Sequence, residues 1–481
     1  MSMKNQTIPI SIAVILLLSC TLTIFQVNAQ GNIIIVPDKY ATIGDAINGA
    51  TNGDTVLIRK GNYEGPTNQT LIMNKSITLI GESKETTKIH LNPPLVPMYI
   101  FTYEYMGYPD ALRIEANRTT ISGLTIDSPG GNIAINASDT KITDNDLKVG
   151  ITVTGDKAKI IVNTVNGTIS INGNNNTISQ STIGGGIQTT GHYNLIAGNM
   201  VSGTSGLYGI NSQDNNTVIY NNTLTGSDFQ PAIQLGGSSR DNFIAKNNLL
   251  LGGLEIAPFT YSNTICGNNL NGDGLGLMGF NNVFYGNQLS HVGIGGTHGG
   301  TVDAAYNTFY HNNFVRASPE FQVFTKQPGP LTWDNGYEGN YWSNYTGDGV
   351  TPYEVFAEYH YFDGAVREDT NVSLGQDLHP LLTPFDIGSV YIQLPAWAEI
   401  ALQNSPQPPT LPPTHTSSPS GQKTPTLPIP SNSPSQSSPS LQIPSQQPFP
   451  TTFIIAAALA VAIIASLLLL LKRGNERRKL G

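Results

Sequence analysis

"NTICGNNL", residues 263–270, decides the fold. An apolar residue stands two places after the first Asn, a second Asn five places after it, and another apolar residue seven places after it. The pattern returns as "NLIAGNMV" from Asn194, "NFIAKNNL" from Asn242 and "NVFYGNQL" from Asn282. Written as small/polar-x-apolar-x-x-Asn-x-apolar, it occurs ten times between Ile121 and Phe314, at spacings of 18 to 25 residues. A repeat of about 20 residues is the signature of a solenoid. Each copy is followed by a short alternating run, such as "ITV" (151–153), "ISI" (169–171) or "LEI" (254–256). Period two marks a strand with one buried face. Gly-Asn and Gly-Asp turns separate the runs, and no stretch of the repeat carries helical periodicity. The expected fold is all-β: a parallel β-helix in which each repeat is one coil of several short strands.

Stacked coils rise about 4.8 Å per turn, so each Ile lies on the Ile of the next coil. The recurrent Asn falls at a tight corner, where its amide can bond the amide of the next rung and the turn backbone. Asn145, Asn163, Asn199, Asn222, Asn247, Asn268, Asn287 and Asn312 are therefore read as a structural ladder, interrupted by Leu124 and Ser181. A solenoid also needs capped ends, because an open terminal coil exposes strand edges. In "ATIGDAINGA" (41–50), Ile43, Ala46, Ile47 and Ala50 share one helical face, and a short helix there covers the first coil.

Outside the repeat, composition sets the organisation. Residues 1–29 read as a signal peptide, with Lys4, the apolar core "IPISIAVILLL" and a small-residue site at Val27-Asn28-Ala29. The β-helix ectodomain is expected over 30–400. A Pro/Ser/Thr-rich stalk follows over 401–450, too polar to bury a core. Residues 451–471 include nineteen residues without a charge from Phe453 to Leu471, enough to span a bilayer as a helix. The basic tail 472–481 then places the bulk of the chain outside the cell. Only Cys266 remains after the signal peptide, so no internal disulfide is available. A net charge of −9 gives no electrostatic footprint for nucleic acid.

"IIIVPDKYATIGDAINGATNGDTVLIRKGNYEG" with "LIMNKSITLIGE" resembles the opening of right-handed parallel β-helix proteins of the pectin-lyase-like kind. The Asn repeats resemble the NosD-like family, including its carbohydrate-binding and sugar-hydrolysis repeats. "WDNGYEGNYWSNYTGDG" (333–349) and "DLHPLL" (377–382) resemble the closing motif of archaeal cell-surface proteins of this type. The resemblance covers roughly residues 33 to 385. It implies the fold, and it leaves activity open, because this fold carries lyases, hydrolases, epimerases and plain binders.

No complete catalytic constellation stands in the sequence. A polygalacturonase would need paired Asp near a Gly-His-Gly, and "THGG" (297–300) is the nearest fragment. Asp139, Asp144 and Asp146 cluster in one repeat but read as a solvated corner. The family name implies copper, yet the histidines of the folded region are scattered, so neither a metal nor a cofactor is expected. "NYTGDG", with Asn344 and Asp348, reads as a turn sealing the last coil, plugged by Trp333, Tyr341 and Trp342. Two aromatic-rich stretches are the binding candidates. In "MYIFTYEYMGY" (98–108), Tyr99, Phe101, Tyr103 and Tyr105 alternate, so one extended strand would aim them the same way, at a sugar or at the β-helix wall. Tyr353, Phe356, Tyr359, Tyr361 and Phe362 form the second, read foremost as packing. Ten Asn-x-Ser/Thr sequons suit a glycosylated surface. The expectation is a membrane-anchored cell-surface protein that binds envelope or extracellular polysaccharide or serves adhesion. The rival is an extracellular polysaccharide lyase or hydrolase, which carboxylates on adjacent coils would favour.

Overall fold

The computed structural model describes residues 31–403 except 101–102, 108–109, 204–207, 227–229, 271–273, 296–303, 316–319, 324–328 and 360–370. The segments read as signal peptide, stalk, membrane span and basic tail lie outside the described residues, among which no helix is long and apolar enough to cross a membrane.

The chain winds as a parallel β-solenoid of three faces. The first face runs from Ile33–Val36 to Thr308–Tyr310 and the second from Gly61–Glu64 to Tyr341–Trp342, each with 13 strands. The third runs from Leu71–Met73 to Asn371–Asp377, with 14. Neighbouring strands on each face belong to successive coils and pair in parallel, save the closing pair Tyr353–Tyr359 with Asn371–Asp377. Strands of two to four residues suffice because every coil adds one rung to all three sheets.

The repeat reads directly into register. Ile121, Ile142, Ile160, Ile178, Ile196, Ile219, Ile244, Ile265, Phe284 and Phe309 pair rung on rung and are all buried. Towards the far end aliphatic stacking gives way to rings. Phe284 stacks on Phe309 at 4.6 Å, Phe309 on Trp333 at 4.8 Å, and Phe314 on Trp342 at 4.2 Å. Rings fill a terminal coil, which no further coil covers from above.

At the corner between the first and second faces, Asn145, Asn163, Asn199, Asn222, Asn247, Asn268, Asn287 and Asn312 are buried. Each side-chain oxygen accepts the main-chain N–H of the preceding rung, as Asn268 Oδ1 does from Asn247 N at 2.9 Å. Ser181 keeps the run intact by accepting from Asn163 N. The run ends on a carboxylate: Asp377 Oδ2 accepts from Asn340 N at 2.7 Å and from Trp342 Nε1 at 2.8 Å. Burial raises the Asp377 pKa in spite of these donors.

A second ladder fills the corner between the third and first faces. Asn176, Asn194, Thr217, Asn242, Asn263, Asn282 and Asn307 pass the same main-chain bond from coil to coil. These include Asn263, the first Asn of the quoted octapeptide, at a position where the repeat pattern asks only for a small or polar residue.

Helix α1, Ile43–Gly49, covers the first coil with Ile43, Ala46 and Ile47, and Thr42 caps it by accepting from Asp45 N at 3.1 Å. Beyond the last coil the chain turns back along the outside of the first face. Phe385 pairs with Asn313 through main-chain and amide bonds and stacks on His311 at 4.6 Å. Val390 and Ile392 cross Gly286 and Gly267, where a side chain would collide or crowd. Helix α2, Ala396–Gln403, then packs Trp397, Ala398 and Leu402 on Leu195, Ala197, Val218, Tyr220 and Phe243. This strap covers the first face from Leu195 to Gly286.

Candidate functional site

With part of the first face strapped, the third face presents a long uncovered polar surface. In its three-residue strands the middle residue points outward between two buried neighbours, as Thr152 does between Ile151 and Val153. The outward residues pair in register as Ala134, Thr152, Ser170, Gln188, Asn211, Gln234 and Glu255. Just past the strand ends, Asn136, Thr154, Asn172, Thr190 and Gln213 make a second, exposed row. The rows are cross-linked along the axis. Thr154 Oγ1 donates to Asn136 Oδ1 at 3.1 Å, Thr190 Oγ1 to Asn172 Oδ1 at 2.9 Å, and Gln234 Nε2 to Glu255 Oε1 at 2.8 Å. Hydroxyl and amide groups therefore recur about every 4.8 Å, held by the sheet beneath them.

Charge enters only at the ends of this stripe. Below Ala134, Arg113 pairs with Asp110 at 3.2 Å and Glu115 at 3.7 Å. One cation between two carboxylates leaves that end with net negative charge. Above Gln234 stands Glu255.

An aromatic ridge edges the same surface where third-face strands turn into the corner. Phe259 and Tyr306 are 59% and 67% exposed. Tyr261 stacks on Phe280 at 5.2 Å with planes 9° apart. Arg240 lies over the Tyr261 ring at 5.9 Å and donates to its hydroxyl at 3.1 Å. Flat rings beside hydroxyl-binding groups suit the apolar face of a pyranose. Sequence reading missed both features, because corner lengths differ from coil to coil and only register aligns these residues.

The aromatic candidates read from sequence fall elsewhere. Val96–Ile100 and Tyr103–Gly107 form an antiparallel hairpin in which Tyr99 pairs with Glu104, Tyr103 with Ile100 and Tyr105 with Met98. The expectation of one extended strand from Tyr99 to Tyr105 is thus corrected: the chain reverses between Ile100 and Tyr103. Phe101, and the side chains of Tyr99, Tyr103 and Tyr105, lie outside the described residues. In the second stretch, Tyr353 stacks on Trp342 at 4.6 Å as part of the closing plug and Phe356 is exposed. The side chain of Tyr359, and all of Tyr361 and Phe362, lie outside the described residues.

The acidic and histidine candidates do not converge. Asp144 pairs with Lys84 at 2.7 Å and Asp146 with Lys148 at 2.8 Å, while Asp139 takes a left-handed turn conformation. Asp348 accepts from Val350 N and Thr351 N, which lowers its pKa, and Asn344 accepts from Tyr353 Oη, so the "NYTGDG" segment is a turn. His90 faces Asp127, His311 faces Glu338 and His379 faces Asp334, in three separate places. "THGG" lies outside the described residues. Among the described residues no three His, Cys, Asp or Glu gather as a metal site. Cys266 is buried and burial pushes its thiol up to about 11, which makes it a poor nucleophile.

No protein-family model and no curated protein sequence matches the chain. Among solved structures, a PL6 family alginate lyase AlyGC mutant is similar with a TM-score of 0.47 and 13% identity, over 74% of this chain and 58% of that one. The chain thus spans under two thirds of that lyase. A PL6 family polysaccharide lyase from Pseudopedobacter saltans is similar with a TM-score of 0.43 and 13% identity, over 66% of this chain and 94% of that one. A PL6 alginate lyase in complex with a trisaccharide has a TM-score of 0.43 and 11% identity, over 73% and 93%.

Proposed function

We propose that this protein binds a neutral polysaccharide along its third face. The observation that carries the reading is the pair of rows of hydroxyl and amide groups, uncharged from Ala134 to Gln234, with the Tyr261–Phe280 ridge on the next two coils, those of Glu255 and Gly276. Hydroxyls and amides donate and accept, as sugar hydroxyls do, and their presentation at a fixed rise costs little ordering entropy on binding. Net negative charge at both ends of the stripe, and −9 overall, disfavours a polyanionic chain. The hydrophobic segment 451–471 and basic tail support a cell-surface, membrane-anchored setting, with the binding domain outside.

Arg113 supports a second reading as a polysaccharide lyase, since a guanidinium on this face could neutralise the carboxylate of a uronic acid. Its two acidic partners already engage it, which favours the binder. A glycan-array screen of the full-length protein tests both readings. Binding to neutral glycans should fall at least tenfold in Gln188→Ala/Thr190→Ala and in Tyr261→Ala, with melting shifted by less than about 2 °C, since these side chains are wholly or partly exposed. Retention of binding in all variants refutes the assignment of this face. Release of unsaturated sugar from an acidic polysaccharide, lost in Arg113→Ala, would establish the lyase instead.

A further inference from the structure

Inside the solenoid one column departs from the aliphatic rule. Two residues before the left-handed turn residue of the third-to-first corner, successive coils place Ala137, Gly155, Gly173 and Gly191, then Asp214, Ser239 and Thr260, then Gly279 and Ala304. The second Asn ladder marks the same positions, with Asn194 Nδ2 donating to Gly173 O, Asn242 Nδ2 to Asp214 O and Asn282 Nδ2 to Thr260 O. Most of the column is small because the corner is tight: a Cβ at Gly191 would stand 2.3 Å from Gly173 O. A carboxylate in such a column calls for a physical cause.

Asp214 is completely buried. Its Oδ2 accepts from Asn194 Nδ2 at 2.9 Å and Thr217 Oγ1 at 2.9 Å, while its Oδ1 has no hydrogen-bond partner. It stands at the rung where the ladder carries Thr217 in place of Asn. Beside it, Thr189 and Ser212 pair in register at the inward end of third-face strands, again where neighbouring coils carry Ile171 and Leu235. Their buried hydroxyls also have no partner, nor do those of Ser239 and Thr260. Burial raises the Asp214 pKa, and Asn194, Thr217 and Thr189 act against that rise, although the Thr189 hydroxyl makes no bond of acceptable geometry with Oδ1.

A buried carboxylate oxygen without a partner is costly, and native interiors hold few. The free atoms at this point, Asp214 Oδ1, Thr189 Oγ1 and Ser212 Oγ, are all oxygens with lone pairs, a donor set for a hard cation. One carboxylate balances one positive charge. A divalent ion would leave a net buried charge and calls for more carboxylates than the seam supplies. His192, the titratable group whose field reaches Asp214, is exposed on the outer side of the corner. We propose that the seam binds one monovalent metal cation, sodium or potassium, on Asp214 Oδ1, Thr189 Oγ1 and Ser212 Oγ, with water joining it to Ser239 and Thr260. The ion ties together the middle coils where the Asn ladder changes residue type, and it does so independently of any sugar bound outside.

Thermal unfolding of the full-length protein at pH 7.5 and fixed ionic strength tests this, exchanging N-methylglucamine chloride for sodium or potassium chloride. The midpoint should rise by about 1–3 °C per tenfold increase in the small cation above its dissociation constant. Asp214→Asn should abolish that dependence, and Thr189→Val/Ser212→Ala should shift it to at least tenfold higher cation. Equal midpoints for the natural protein in N-methylglucamine and in sodium or potassium overturn the proposal without recourse to any variant. They leave a protonated Asp214, recognisable because stability would then rise as pH falls from 7.5. A cation effect of equal size in the natural protein and Asp214→Asn also overturns it, by placing the ion elsewhere.

Discussion

Replacing Asn247 by Leu should expose how much of the solenoid's stability resides in its corner amides. Asn247 Oδ1 accepts from Asn222 N and Asn222 Nδ2, both at 3.0 Å, and Asn247 Nδ2 donates to Ile219 O at 2.9 Å and Asn268 Oδ1 at 3.0 Å. Leucine keeps the branched heavy-atom skeleton but is bulkier, so crowding can only add to the loss of these four bonds. Their consequences differ. Asn222 Nδ2 keeps its bond to Ile196 O, and Asn268 Oδ1 keeps the Asn247 main-chain N–H. Ile219 O keeps its place in the parallel ladder with Phe243–Ala245, whereas the buried Asn222 N loses its side-chain acceptor. At about 1–3 kcal/mol for a buried group left unpaired, the change should cost about 1–3 kcal/mol. Urea titration followed by circular dichroism reads this as a lower midpoint with an unchanged slope.

Ser181 supplies the internal control. It occupies the equivalent position of an earlier rung, accepts from Asn163 N at 3.1 Å and donates to Ser179 O at 2.9 Å. Asn247→Ser should therefore retain part of the acceptor function and cost less than Asn247→Leu. If both cost the same, loss of a hydrogen-bond acceptor is not the cause. If Asn247→Leu is neutral, the ladder reasoning fails outright. The double change Asn247→Leu/Asn268→Leu should fall short of additivity, because the two residues share a bond.

Two further outcomes follow from the closing coil and the strap. Burial raises the Asp377 pKa, so the folded state holds a proton more tightly than the unfolded chain does; this contribution grows as pH falls from neutrality towards the ordinary Asp value and is lost as pH rises through the folded value. Asp377→Asn should remove that part of the pH dependence, so the stability gap between the two proteins should change between pH 7 and pH 5; a constant gap refutes it. Trp397→Ala should free helix α2 by removing the ring set edge-on to Tyr193 at 5.8 Å, at a cost of about 1–3 kcal/mol for a partly buried side chain. Limited proteolysis should then cut within residues 390–403 while the coils stay intact, and unchanged protection would show that the strap is held mainly by Val390 and Phe385.

The coil was legible in the sequence because the forces that make it are periodic. An Ile every 18 to 25 residues has nowhere to go but onto the Ile of the next coil, so a one-dimensional pattern specifies a one-dimensional stack. The terminal helix at 43–49 and the Trp333–Trp342 plug were legible for a related reason: amphipathic spacing and ring clusters belong where a stack must stop. What tertiary structure alone decided depends on alignment between coils of unequal length. Corners of different lengths shift Gln188, Asn211 and Gln234 against one another in sequence, and only the sheet register brings them into one row. The same shift hid Asp214, Ser239 and Thr260 as members of one buried column. The strap was invisible because residues 385–403 have no repeat partner; they pack on strands up to about two hundred positions earlier, and that choice left the third face, rather than the first, open to solvent.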